Sequence, residues 1–498
     1  MKPTVFPHYV QTVYKTSPFY LISLEAWRRG LSVTFSGDIK NFTVSSPQTT
    51  RVFSKSMVLD PEMGLRTHEI CENKDEAKKY LAEAGVPVPR GRRFTPFSSD
   101  EEIVRYARET GYPVVLKPSD GYMGKGVFSN IQDEALLKEL LVHVRRELEY
   151  PDVMIEERIE GGDFRIFVLG DEVVAALQRV PANVTGNGRD TIRKLIRVKN
   201  AERRKNPNLT GKLIKEDREV LSSIKKAGYV VNSILGKEET LFLREKCNVS
   251  SGGDSIDVTE ELPKHVKETA IRAVRAIPGL NHAGVDVLYD ARHPGSKGVV
   301  IEINSMAEIG GMMYPFVGTP RDIPSAIIDR YFPDSMGDRG RHRLAFYDPE
   351  SLKQTLKKEP ETTVTLPPLP VRDWARRELI VSGRTRAAEV REWVREKALQ
   401  MGLSGFTELN DGKTVRIVIA GDEKQVQEFE RMCGSGSAKA GIRSISASDY
   451  ADPVITGFRI IHKKNPILEK AAHLAHAVWW RMKKRIKPIP DRFFRGQA

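Results

Sequence analysis

The sequence predicts an α+β protein assembled from successive parts, and three observations carry that expectation. Short apolar or alternating segments of strand length are interleaved with amphipathic stretches of helical spacing, in an order that does not follow a strict parallel strand-helix alternation. The 498 residues, at roughly 150 per domain, allow about three domains. Between about 334 and 370, DSMGDRGRHR and KKEPETTVTLPPLP combine charge with proline, the composition of a linker. The expected divisions are a short α/β unit at 1–68, a main domain at 69–333, a linker at 334–373, a second domain at 374–461 and a basic tail at 462–498.

The elements follow in order. YLISLEAWRRGLSVTF, Tyr20 to Phe35, reads as an amphipathic helix that passes through Gly30 into a strand. KDEAKKYLAEAGVPVPRG is a charged helix stopped by Gly85, Pro87 and Pro89. A helix over 100–110, the strand PVVLKP and a glycine-rich turn come next, then a helix over 134–148 and the strands DVMIEER and FRIFVLGDEVVAALQRV. The polar, basic stretch 183–225 is expected as loops and a helix over the site rather than core. A helix over 264–277 leads to the strands AGVDVLYD and VVIEINS. Residues 376–461 read strand, helix, two strands, helix, two strands, a split βαβ pattern of ferredoxin-like type.

Composition narrows the function classes. Hydrophobic residues at 40%, charged residues at 29% and a mean hydropathy of −0.39 are ordinary, and no apolar run approaches the roughly 18–20 residues of a membrane helix. The first twenty residues lack a basic flank followed by an apolar block, so a cytoplasmic location is expected. Cys71, Cys247 and Cys433 are too far apart for a disulfide framework or a CxxC clamp, and the histidines show no paired ligand spacing. A net charge of +13 favours acidic partners in general: nucleic acid, anionic lipid, nucleotide phosphates or carboxylates.

Chemistry-bearing residues are concentrated in the main domain. Lys117 ends a strand and is followed by Gly121, Gly124, Lys125 and Gly126, so backbone N–H groups and two lysines can surround phosphate oxygens. Glu156 and Glu157 end another strand, with Ile159 just beyond and Asp163 seven residues after Glu156; a hinge followed by a carboxylate suits an adenosine and its ribose. Asp286, Glu302 and Asn304 fall on adjacent strands, the last two on one face, and three oxygen donors of this kind suit Mg2+.

Taken together, Lys74, Lys117 with its GYMGKGV loop, the IEERIEGGDFR hinge and the Asp286, Glu302, Asn304 trio resemble the ATP-grasp fold over roughly residues 70–333. QRVPANVTGNGRDTIRKLI, LFLREKCNVSSGGDSIDVTEEL and AIIDRYFP are similar to stretches of the ligase modules of cyanophycin synthetases and bifunctional glutathione synthetases. The resemblance implies ATP-dependent joining of a carboxylate to an amine through an acylphosphate, with ATP and Mg2+ or Mn2+ as cofactors. By position, Lys74 and Lys117 would hold the α- and β-phosphates, Glu156, Glu157 and Ile159 the adenine hinge, and Asp163 the ribose. Arg165, Arg179 and Arg244 would neutralise the substrate carboxylate or the acylphosphate, with Asn248, Ser250 and Gly252 as neutral donors. After Asn304 the family usually continues with a small residue, proline and glycine, whereas this chain reads SMAEIGGMMYP.

The second module resembles acylphosphatase, with Arg391 at the phosphate-binding position and Asn410 as the sole candidate for the water-positioning asparagine. Ala387 and Glu389 replace loop glycines, and a carboxylate in an anion cradle repels phosphate, so a weak or inactive site is expected. The tail after Ile461 carries ten Lys/Arg against two Asp/Glu, which fits an anionic membrane surface, RNA, or a helix packed on the protein. Expected partners are small amino-acid or peptide substrates, with homo-oligomerisation left open. A small-molecule kinase and a non-enzymatic nucleotide-binding scaffold are the rival readings.

Overall fold

Helix α1 (Pro18–Arg28) begins with a proline in its first turn, where a missing N–H breaks no helical bond. In the computed structural model, which describes residues 3–6, 17–119, 125–293, 295–369, 374–383, 387–410, 414–435 and 442–461, α1 buries Tyr20, Leu24 and Trp27. The helix lies against the strands β1 (Ser32–Ser36) and β2 (Asp38–Ser45), whose antiparallel sheet continues through β3 (Thr50–Ser54) and β4 (Met57–Val58). The chain divides into two compact units, Met1–Leu369 and Pro370–Ala498.

The expected linker is a correction. Within 334–369 a helix, Pro349–Lys358, packs on β2 through Leu352 and Leu356, and Thr363–Thr365 adds an antiparallel strand to β1 with Thr365 opposite Thr34. The Trp27 Nε1–H then donates to the Pro367 carbonyl at 2.7 Å. Composition misleads here because an edge strand tolerates polar residues, and its partner lies more than 300 residues away in the sequence. The small N-terminal unit is therefore completed by residues that follow the main domain.

Two antiparallel sheets make up the centre of the first unit. Helices α2 (Arg66–Glu72) and α3 (Lys74–Glu83) lead into β5 (Gly91–Phe94), α4 (Asp100–Thr110), β6 (Val114–Pro118), β7 (Phe128–Ile131), α5 (Glu134–Val142) and β8 (Val153–Glu157). The strands form one sheet in the order β5-β8-β6-β7, with a core of Phe94, Ile103, Leu116, Leu137 and Ile155. Asp133 caps α5 by accepting from the Leu136 N–H, as Ser99 caps α4 and Asn73 caps α3.

The second sheet holds β9 (Gly162–Leu169) and β10 (Glu172–Val180), followed by an arm of β11 (Asn183–Thr185), α6 (Ile192–Lys205), α7 (Arg218–Lys226) and β12 (Thr240–Phe242). Then come β13 (Asp254–Asp257), α8 (Lys264–Ala276), β14 (His282–Tyr289) and β15 (Val299–Asn304), in the spatial order β13-β10-β9-β14-β15. The arm is more than loops: Val184, Ile192, Ile196, Val220, Ile224 and Leu241 form an apolar core of their own. Period-two alternation sorts the second sheet. Phe164, Ile166, Val168, Val285, Val287 and Ile303 face α8 and the core, leaving the intervening residues on the opposite face.

The second unit has the predicted order: β16 (Ala375–Gly383), α9 (Ala387–Gln400), β17 (Ser404–Leu409), β18 (Thr414–Gly421), α10 (Glu423–Gly434), β19 (Ile442–Asp449) and β20 (Phe458–Ile461). Spatially the sheet runs β19-β16-β18-β17-β20, with β20 parallel to β17. Both helices pack on one face through Val390, Val394, Val426 and Phe429. The basic tail from 462 onwards lies outside the described residues.

Candidate active site

The face of the second sheet turned away from α8 carries rows of charge set by strand register. Arg165 on β9 stands opposite Asp286 on β14, which stands opposite Glu302 on β15; Asp163 stands opposite Arg179 on β10. Side chains directly opposite share a face and touch. The Arg165 Nε–H and Nη2–H donate to the Asp286 carboxylate at 2.5 and 2.8 Å, and Arg179 donates to Asp286 Oδ2 at 2.9 Å and to Asp163 Oδ1 at 2.5 Å. Burial works to raise the Asp286 carboxyl, but the two guanidinium groups outweigh it and hold it below the usual range.

Glu302 is raised instead, by burial first and the facing Asp286 charge second, with Lys74, Arg165 and Lys117 opposing through charge. Two residues on, the Asn304 side-chain nitrogen is buried without a hydrogen-bond partner among the described residues. The raised Glu302 carboxyl is short of a positive group, and the orphaned amide beside it has not settled on a partner. Turned about its last bond, the amide offers its oxygen. Asp286 accepts three N–H bonds here, and a carboxylate has about four acceptor positions. Glu302, Asn304 and the remaining position on Asp286 thus fit a hard divalent cation, although among the described residues no three His, Cys, Asp or Glu side chains converge on one point.

Next to this trio lies a small cleft whose lining includes Lys74, Lys78, Lys117, Glu156 and Glu302, with Cys71, Leu81, Val88 and Ile303 as apolar wall. Val115 stands opposite Glu156, so Lys117, two residues on, shares the Glu156 face, and its Nζ reaches Glu156 Oε2 at 2.6 Å. Lys78 Nζ holds the other oxygen at 3.0 Å. Lys78 is one helical turn after Lys74 on α3; sequence reasoning missed it, although the i,i+4 spacing was visible. Burial pushes the Cys71 thiol up to about 12, which makes it an inert wall rather than a nucleophile.

Other expected residues fall around these two centres. Glu157 turns to Arg90, accepting from its backbone N–H and its Nε–H at 2.8 Å each, so only backbone groups near Glu157 and the half-buried Ile159 remain for a hinge. Lys125 is exposed over the Tyr150 ring, and Gly126, at φ +73°, folds back on Pro118. Gly121 and Gly124 lie outside the described residues.

Asn248 and the exposed Ser250 belong to a tight turn. A Cβ on Gly253 would stand 2.8 Å from the carbonyl oxygens of both Asn248 and Val180, so the turn seats directly on β10. Arg244 departs from its expected role. Its guanidinium pairs with Asp217 and Glu219 and donates to the Ser251 carbonyl at 3.0 Å, fastening the turn to the start of α7 instead of facing the Asp286 group. Below the turn, Asp254 is gripped by Lys199 at 2.5 Å and Arg203 at 2.9 Å, another i,i+4 pair that the sequence displayed.

In the second unit Arg391 is half-buried on α9 and Asn410 is exposed after β17, while residues 384–386 of the connecting loop lie outside the described residues. Among the described residues no helix is long and apolar enough to cross a membrane.

Residues 71–307 match the ATP-grasp domain family and residues 377–460 match the acylphosphatase family. The cyanophycin synthetase of Geminocystis herdmanii is 34% identical over 286 residues, 56% of this chain and 32% of that protein. A bifunctional glutathione biosynthesis protein of Enterococcus faecalis is 34% identical over 275 residues, 53% of this chain and 36% of its own length. A solved bifunctional glutathione synthetase from Pasteurella multocida aligns at a TM-score of 0.47 and 28% identity, covering 60% of this chain and 41% of that one. The chain thus spans about a third of the length of the curated relatives it matches.

Proposed function

We propose that this chain, whose residues 71–307 are an ATP-grasp domain and residues 377–460 an acylphosphatase domain, is an ATP-dependent carboxylate-amine ligase. It joins an amino acid or peptide carboxylate to an amine and releases ADP and phosphate. The observation that carries the reading is the row of charge from Arg165 through Asp286 to Glu302 beside a lysine-lined cleft.

A carboxylate is a poor electrophile, and phosphorylation turns it into a good one; the difficulty is gathering the negative charge of a triphosphate and a carboxylate at one place. Lys74 and Lys117 supply cations where the phosphates lie, Glu156 keeps the Lys117 ammonium aimed along the sheet face, and Asp163 accepts from the ribose through Oδ2, since Arg179 occupies Oδ1. Bound by Glu302, Asn304 and Asp286, Mg2+ or Mn2+ would supply Lewis-acid neutralisation of phosphate charge. Arg165 and Arg179, held in fixed orientation by Asp286 and Asp163, face the substrate carboxylate, and the Asn248–Gly252 turn adds neutral donors above them. An acylphosphate hydrolyses in water, so the site must also exclude it. We place the chain in the cytoplasm because its three cysteines are unpaired thiols.

The test is ADP release by the full chain with MgATP against amino acids and short peptides, with products identified by mass spectrometry. ADP release that requires an amine, together with an amide product, is the expected result. Release without any amine requirement and a stable phosphorylated product would make the protein a small-molecule kinase, and no turnover with any pair would leave a nucleotide-binding scaffold.

A further inference from the structure

The strand pairing that carries Glu302 ends at Asn304, opposite Gly284, and the next three residues, Ser305 to Ala307, contain no proline to set their course. Asn304 is the last residue of the ladder, so the direction of its side chain depends on how the following turn is held. Ser305 and Ala307 are buried, and each is fastened from outside the strand. Ser56, in the turn between β3 and β4, is fully buried; its hydroxyl donates to the Ala307 carbonyl at 3.0 Å, and its own carbonyl accepts from His282 Nε2–H at 2.6 Å. His282 lies on β14 two residues before Gly284, so Ser56 ties the turn back to the strand beside it.

The second fastening comes from α2. His68 Nδ1 and the Ser305 hydroxyl share a hydrogen bond of 2.9 Å. The helix is itself fixed: Ile70 and Cys71 belong to the same apolar core as Ile303, and Thr67 donates its hydroxyl to the Pro278 carbonyl at 2.9 Å. There is no slack beneath the turn, because a Cβ on Gly284 would stand 2.9 Å from the Ala307 Cβ. The turn is thus pinned at its first and third residues and seated on β14. Both fastening residues, 56 and 68, precede the stretch 71–307 that matches the ATP-grasp family.

We propose that Ser56 and His68 are positioning residues for the divalent cation, holding the 305–307 turn so that Asn304 presents its amide to the site. Neither touches cation or substrate; each acts through the turn that continues from Asn304. The orphaned Asn304 amide fits this division of labour, since the backbone that bears it is fixed from behind while the side chain keeps its polar capacity. A metal ligand supported in this way loses affinity when the support goes, typically ~10–100-fold. The inference rests on the ligase reading, which it deepens by giving residues ahead of the family domain a part in the metal end of that site.

The test is Mn2+ binding to the full chain in the presence of ADP, read from the electron paramagnetic resonance signal of free Mn2+ against ADP alone. ADP affinity without metal is measured separately in EDTA. Ser56→Ala and His68→Ala should each weaken Mn2+ about tenfold or more, bind metal-free ADP within twofold of the parent and keep its melting temperature. His68→Asn, whose amide takes the place of Nδ1, should recover Mn2+ affinity to within threefold. In turnover, the Mg2+ concentration for half-maximal rate should rise in step, while the rate at saturating Mg2+ stays within threefold. Parent-like Mn2+ affinity in either alanine variant removes that residue from the assignment, and in both overturns the proposal. Equal loss of Mn2+ and metal-free ADP binding overturns it, as does His68→Asn as weak as His68→Ala; if Ser56→Ala does not fold, the two His68 variants decide. A parent chain that binds no Mn2+ with ADP also overturns it, whereas one that binds both yet forms no amide defeats the ligase reading alone.

Discussion

The first unit contains two buried groups of the same composition, an aspartate between two cations, and they end differently. Asp254 is held by Lys199 and Arg203, and every remaining donor is used: Lys199 also donates to the Asn183 carbonyl and side chain, and Arg203 to the carbonyls of Gly253, Lys212 and Val249. Asp286 is held by Arg165 and Arg179, but its neighbours Glu302 and Asn304 are left with a raised carboxyl and an orphaned amide. A buried ionic group that closes on backbone carbonyls is satisfied and structural. One that stays open keeps polar capacity that the chain itself has not used.

The sharpest way to break this contrast is Glu302→Gln. The substitution removes the carboxylate that should hold the cation and should cost turnover roughly 10³-fold or more, while urea denaturation shows stability unchanged or improved, because a reluctantly charged group has gone. Near-normal turnover would remove the metal assignment. The closed group should behave in the opposite way: Arg203→Met leaves Asp254 short of its buried partner and strips donors from three carbonyls, at a cost of about 3–5 kcal/mol in unfolding free energy. If Arg203→Met left stability intact and Glu302→Gln collapsed the fold, the two groups would have been assigned the wrong way round.

A third buried group tests whether closure can be read from pH. His282 is fully enclosed, with Nε2–H donating to the Ser56 carbonyl at 2.6 Å and Nδ1 accepting from the Tyr331 hydroxyl at 3.0 Å. Burial, with Arg330 adding to it and the Ser56 bond opposing, lowers its pKa to about 4. The fold therefore holds this ring neutral, and its contribution is complete above the unfolded value near ~6.5 and lost as pH falls from there towards 4. Between pH 8 and 5.5 the loss should be roughly 1 kcal/mol by linkage. Raised carboxyls such as Glu302 act in the opposite direction, so the measurement is the difference in denaturation free energy between the parent and His282→Gln. An equal pH slope in both would mean that the ring does not stay neutral.

What the sequence revealed and what it hid divide along the range of the interactions. Alternation in FRIFVLGDEVV and AGVDVLYD marked those strands, and the two-residue spacing in VVIEINS placed Glu302 and Asn304 on one face, because period two is a local property. Register is not local, so the facing of Arg165 and Asp286, and the loss of Arg244 to Asp217 and Glu219, could not be read. Lys78 stood four residues after Lys74 in plain view. The supposed linker failed for the same reason: strand pairing with β1 is decided by a partner at the other end of the unit.

The smallest effect is expected where the two units are compared. Arg391 lies on α9 of a unit with its own apolar core, distinct from the unit that holds the Asp286 group. Glu389, in the first turn of the same helix and two residues before Arg391, puts negative charge where an acylphosphatase needs to draw an anion in. Arg391→Ala should therefore leave amide formation within about twofold of the parent, since the charge row from Arg165 to Glu302 is built from the first unit's own strands. Hydrolysis of acetyl phosphate by the full chain should be slow before the change and no faster after it. A large loss of ligation in Arg391→Ala, with melting temperature preserved, would show that the second unit takes part in the reaction. Restoration of acyl phosphate hydrolysis by Glu389→Gly would show instead that one carboxylate is what separates this domain from a working phosphatase.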